Sequence, residues 1–224
     1  MNTRRGVALV GLILSFCVGV PASAQDVFHS TQSPNLQTTS GLRAGSWLFE
    51  ISHRFLPAIA DGGDALWGLD GPVYNRLGLA YMPVEGVLLG VQRTNLEDNL
   101  ELNAKVRLVK TEVGTVPVEV AAMTGVAWNT DAFVVEGAED NESQFYAQAI
   151  INARVAERVA LGVVPTWIRN PRIRDVDAFN AMAVGVQGQV YLSGSTSVLG
   201  EWIFSEDIQD RGHDSGTFGV EFVR

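Results

Sequence analysis

The sequence predicts an all-β protein, an antiparallel up-and-down transmembrane β-barrel of about ten strands. Three observations carry that expectation. Apolar and hydrophilic residues alternate with period two over segment after segment, most cleanly from Leu100 to Val109. There Leu100, Leu102, Ala104, Val106 and Leu108 share one parity, while Glu101, Asn103, Lys105 and Arg107 share the other. A pleated strand separates these residues onto two faces, and a helical period of 3.6 would scatter them. The links between such segments tend to alternate between long and short, and large aromatics gather at the segment ends, as at the two interfaces of a membrane barrel.

Taken in order, the chain of 224 residues opens with Arg4 and Arg5, an apolar run from Gly6 to Val20, Pro21 and the small triplet Ala22, Ser23, Ala24. This is the pattern of a secretory signal peptide, residues 1–24, with the mature protein expected to start at Gln25. The run is shorter than the roughly 20 residues of a membrane-spanning helix. Phe16 stands before Cys17 where a lipoprotein signal needs a small residue, so the single cysteine belongs to the removed segment. The mature chain then has no disulfide, thiolate metal site or thiol nucleophile. Without Arg4 and Arg5 the 16 basic residues fall to 14 against 25 acidic ones, a net charge of about −11. That balance argues against nucleic acid as a partner. No later apolar run is long enough for a transmembrane helix, so a membrane role has to use strands.

Residues 25–45 are rich in Ser, Thr, Gln and Asn and lack periodicity, which reads as a polar N-terminal leader, mobile or tucked against the barrel. The barrel domain spans residues 46–224. Its strands are expected at Ser46–Phe55, Val73–Met82, Val87–Thr94, Leu100–Val109, Pro117–Trp128, Ser143–Val155, Val159–Ile168, Phe179–Leu192, Ser197–Phe204 and Ser215–Val223. Most have the length a tilted strand needs to cross a bilayer. Long links hold Pro57–Pro72, Asn129–Glu142, Arg169–Ala178 and Ser205–Asp214; short ones hold Pro83–Gly86, Ala156–Arg158 and Ser193–Thr196. Asn95–Asn99 is the one exception to the alternation. Trp128, Trp167, Trp202 and Phe204 fall near the loop ends of their strands, and Trp47 and Tyr81 near the turn ends, as two interfacial girdles would require.

This register assigns ten charges to the interior: Glu50, Glu101, Glu119, Glu201 and Glu221 with Arg54, Arg76, Lys105, Arg107 and Arg154. A soluble sandwich cannot enclose so many ionised groups, because desolvation opposes it. A membrane barrel reverses the solvents, with lipid outside and a polar lumen inside. The near-balance of sign suggests acids and bases paired across a narrow, partly plugged lumen. The remaining acids crowd the loops, where a solvated surface is the plainer reading. Asp207, Asp210 and Asp214 match no calcium loop with defined ligands, so no metal is expected.

Catalytic candidates are few. His213, Asp214 and Ser215 are neighbours in sequence, and neighbours seldom converge as a triad. His53 beside Ser52 suggests a lipid-modifying hydrolase, yet adjacent strand residues face opposite sides. No nucleophile elbow, phosphate loop or zinc-protease motif occurs. No cofactor or enzymatic activity is expected.

The stretches Glu50-Ile51-Ser52-His53-Arg54-Phe55, Leu66-Trp67-Gly68-Leu69-Asp70 and Asn75-Arg76-Leu77-Gly78-Leu79-Ala80-Tyr81 resemble an uncharacterised family of bacterial β-barrel proteins, a domain of unknown function. The resemblance extends from about Gln37 to the end and differs mildly at Trp67, where the family tends to Phe. It implies an outer-membrane-type barrel of about twelve strands and brings no activity or catalytic residues. Because similar chains run on past the match to Phe218–Val223, and because the last residue is Arg224, the sequence reads as truncated at its C-terminus. The expected partners are outer-membrane lipid and the barrel assembly machinery, with an ion or small solute as the species that would pass. A narrow passive channel is the leading functional expectation, followed by a sealed structural or interaction barrel and then a lipid-modifying enzyme. No residue pattern fixes an oligomeric state or a solute.

Overall fold

A computed structural model describes residues 26–55, 59–68, 70–95, 99–129, 143–170, 180–206 and 214–223. Residues 1–25, which include the expected signal peptide, most of the long loops with Asp207, Asp210 and His213, and Arg224 lie outside the described residues, as does the side chain of Arg54.

Ten strands form one antiparallel sheet in sequence order: β1 (Trp47–Phe55), β2 (Val73–Val84), β3 (Val87–Thr94), β4 (Asn99–Val113), β5 (Val116–Asn129), β6 (Gln144–Ala156), β7 (Val159–Arg169), β8 (Asn180–Tyr191), β9 (Thr196–Ser205) and β10 (Ser215–Phe222). Each pairs with its sequence neighbour, the up-and-down topology that short antiparallel links permit. Among the described residues no ladder joins β10 back to β1. A 3-10 helix, Ile59–Gly68, occupies the link between β1 and β2, where periodicity pointed to loop alone.

The links sharpen the predicted alternation. The segment after Val109, expected as a link of intermediate length, continues β4 to Val113 and closes in the tight turn Gly114-Thr115. Gly86 and Gly114 take φ of +80° and +66° in such turns, a left-handed backbone that glycine adopts without a Cβ clash. Three register shifts, at Tyr81/Val84, Arg107/Val109 and Arg154/Ala156, all sit near the short-turn end. The second one changes the face assignments. Leu108 and Val109 both turn outward, so Lys110 points inward although its parity in sequence says otherwise.

The sheet is inside out relative to a soluble protein. Phe49, Ile51, Leu77, Leu89, Leu102, Phe145, Leu161, Val184, Val198 and Phe218 are exposed on the outer wall, whereas Lys105, Glu119, Asn152, Gln187, Gln189, Ser197 and Glu201 are buried. Water cannot be the solvent of both faces, since so extended an apolar surface does not persist on a soluble monomer. Among the described residues no helix is long and apolar enough to cross a membrane, and the strands perform that role.

Candidate functional site

What the inner wall encloses is the leader. Residues 26–41 enter from the short-turn end, run inward, reverse at Ser33–Leu36 and return to the same end. The reversal is a small hairpin, with Gln32 bridged to Gln37, the Ser33 amide donating to the Leu36 carbonyl (2.8 Å) and the Thr38 amide to the Thr31 carbonyl (3.1 Å). Polar composition suits this place, because an unperiodic Ser/Thr/Gln segment can pair in every direction within a polar lumen. The leader therefore lies as an internal plug, tucked against the inner face of the wall.

Contacts to both edges show how far the sheet curls. Gln32 donates to Glu50 on β1, and Ser30, two residues earlier, donates to Glu221 on β10. A segment this short touches both edge strands only if the sheet wraps around it.

Most lumen charges meet the plug instead of one another. Lys105 donates its ammonium to the carbonyls of Thr31 (2.8 Å) and Thr38 (2.9 Å), clipping the two arms of the hairpin together. Arg107 and Lys110 converge on one carboxylate oxygen of Asp26, at 3.0 and 2.9 Å, and Arg107 also holds Glu85. Arg154 donates to the carbonyls of Asp26 and Val27, both at 3.0 Å, and lies over the ring of Tyr191, whose hydroxyl also donates to Val27. Glu119 accepts from the Thr39 hydroxyl (2.6 Å) and pairs with Lys110 (3.2 Å). Glu201 accepts from Ser33 and from the amides of Asn35 and Leu36. Glu221 lies 3.5 Å from Nδ1 of His29. The acid–base pairs within the wall join neighbouring strands and do not cross the lumen: Glu50 and Arg76, 2.6 Å apart on β1 and β2, and Glu119 with Lys110 on β5 and β4, while Glu101 accepts from Tyr146 (2.5 Å) and Asn103 (3.0 Å). The reason is geometric. Plug carbonyls and hydroxyls lie nearer to these heads than the opposite wall does.

Apolar contacts seat the plug as well. Leu36 packs against Ala121, Met123, Ile150 and Val164, and Gly185 makes the room. A Cβ there would stand 2.4 Å from Leu36 Cδ2. Nearer the entry, Val27 and Phe28 pack on Ala160 and Tyr191. Beside the hairpin a cavity of about 50 Å³ remains, lined by Gln32, Gln37, Glu50, Gln92, Asn103 and Lys105, space for a few waters at most.

The six aromatics assigned to girdles stand on outward positions at strand ends. Trp47 pairs across strands with Tyr81 and stacks on it at 4.3 Å, and Trp202 and Phe204 lie 6.3 Å apart. Trp167 is partly exposed, and Trp128 is paired across from Leu100. His53 is exposed opposite Asn75, and Ser52 pairs with Arg76, so the two do not meet. Asp214 accepts from the Ser205 amide at 3.0 Å. Asp26, Lys110, Gln187 and Gln189 were missed as site residues. The alternation of β8 places both glutamines inward, but Lys110 is hidden by the bulge and Asp26 by its unperiodic surroundings.

An antiparallel wall with an apolar outside, a charged inside and an inserted segment defines a membrane β-barrel. The chain belongs to the membrane bound beta barrel domain family DUF5777, whose model matches residues 28–223, nearly all of the plug and the wall. No curated protein and no solved structure matches it.

Proposed function

We propose that this chain is an outer-membrane barrel, exported through a cleaved signal peptide, that is closed by its own N-terminal hairpin and serves as a structural or interaction barrel without enzymatic activity. One observation supports this above the others: wall side chains hydrogen-bond the plug from Asp26 to Thr39, and the cavity beside its hairpin, about 50 Å³, has room for a few waters. Its partners are outer-membrane lipid and the assembly machinery that inserts barrels. A narrow passive channel for ions or small solutes is the second reading, favoured by the charged wall that would be uncovered if the hairpin withdrew. Conductance separates them. Folded protein in a planar bilayer, its fold verified by heat-modifiable gel migration, is expected to give no steps at moderate voltage. Steady ohmic steps from the intact chain would replace the closed reading with the channel.

A further inference from the structure

We propose that the lumen is a binding site for an extended polypeptide, recognised chiefly through its backbone, and that residues 26–41 are its resident ligand. The inference rests on the closed-barrel reading and adds a ligand class to it.

The wall treats the plug as a peptide-binding groove treats a peptide. Donors from the wall reach five plug carbonyls: Lys105 those of Thr31 and Thr38, Arg154 those of Asp26 and Val27, and Gln187 that of Gln37 at 2.9 Å. Acceptors from the wall take four plug amides: Gln189 that of His29, Glu201 those of Asn35 and Leu36, and Asn152 that of Thr39. These bonds use groups that every residue except proline possesses. Side-chain reading is added at two points. Arg107 and Lys110 take a carboxylate at the entry, and the pocket vacated by Gly185 takes a leucine at the turn.

The wall carries both signs around its circumference: Arg76 on β2, Lys105, Arg107 and Lys110 on β4 and Arg154 on β6, with Glu50 on β1, Glu101 on β4, Glu119 on β5, Glu201 on β9 and Glu221 on β10. An extended backbone presents carbonyls and amides on both of its edges, residue by residue, so a wall that offers donors and acceptors around its circumference can meet it. An emptied lumen therefore takes a polar, extended polypeptide from the short-turn end, with an acidic residue first and a leucine at the reversal.

The test uses a chain lacking residues 26–41 and a synthetic peptide of residues 26–42. The shortened barrel is expected to conduct in a planar bilayer, and the peptide, added at the short-turn side, to block it in a saturable way. A Leu36→Asp peptide should need about tenfold more for half-block, the change that about 1.4 kcal/mol produces. Open steps that ignore the peptide, or equal block by a scrambled peptide, overturn the proposal. If the shortened chain does not fold, a full chain with a protease site inserted after Ala44 is folded, cut and offered fluorescent peptide. Uptake approaching one peptide per barrel supports the site, and no uptake overturns it. Conductance by the intact chain would instead sink the closed-barrel reading, so the two failures are told apart.

Discussion

Arg107 on β4 and Asp26 at the mouth of the plug form an ion pair of 3.0 Å, and Lys110 reaches the same oxygen from the far side of a β-bulge. Two cations on one carboxylate fix the point where the chain enters the barrel. Asp26→Asn keeps the shape and removes the charge, leaving Arg107 with Glu85 and Lys110 with Glu119. A loss of about 1–2 kcal/mol is expected, with faster proteolysis of the leader in the folded protein. Unchanged proteolysis rates would show that the entry contact holds nothing.

Lys105 tests the clip. Lys105→Met fills similar space but leaves the Thr31 and Thr38 carbonyls without their donor, at roughly 1–3 kcal/mol for each buried group. The urea midpoint, followed by tryptophan fluorescence, should fall clearly, and brief conductance openings should appear. A midpoint equal to that of the parent chain would refute the clip.

Leu36 and Gly185 test the anchor from its two sides. Leu36→Ala removes a buried side chain at a cost of roughly 2–4 kcal/mol. Gly185→Val leaves the leucine intact and occupies its place. Both changes should expose the plug to protease, and the double variant should not be the sum of the two, because they act on one contact. Strict additivity would argue that Leu36 seats elsewhere.

Leu102 and Asn103 are adjacent on β4 and face opposite solvents. Leu102→Arg places a charge in lipid and is expected to cost roughly 2–4 kcal/mol of folding stability in bilayers. Asn103→Ala loses one bond to Glu101 and costs about 1 kcal/mol. The reverse order would mean that the inner face is the apolar one.

The wall was legible in the sequence because strand periodicity acts locally. Alternation at Leu100–Leu108 or Phe145–Val155 needs no knowledge of distant residues, and every expected strand is present to within a few residues of its predicted ends. The plug was not legible, because its structure is borrowed. Ser33, Thr38 and Thr39 have no periodic pattern, and besides the local bonds of the hairpin they are placed by Glu201, Lys105, Glu119 and Asn152, residues far along the chain. The bulge at Arg107/Val109 defeated the reading of Lys110 for a related reason. One extra residue exchanges inside for outside, and no local signal marks where it falls. The pairing of lumen charges was misjudged because the competitor for them, a backbone folded into the lumen, was not in view.

The bonds from Ser30 to Glu221 and from Gln32 to Glu50 bear on how the molecule is made. The two edge strands are separated by nearly the whole barrel domain, and bringing such distant partners together is slow because the chain entropy of a long closure is lost before any contact compensates it. Here the hairpin of residues 26–41, translated before every strand, carries contacts for both. It precedes β1 and is touched by strands from β4 to β10. The hairpin is thus a casting core, the form around which the wall is laid, and a chain deprived of it would have to find its curvature unaided.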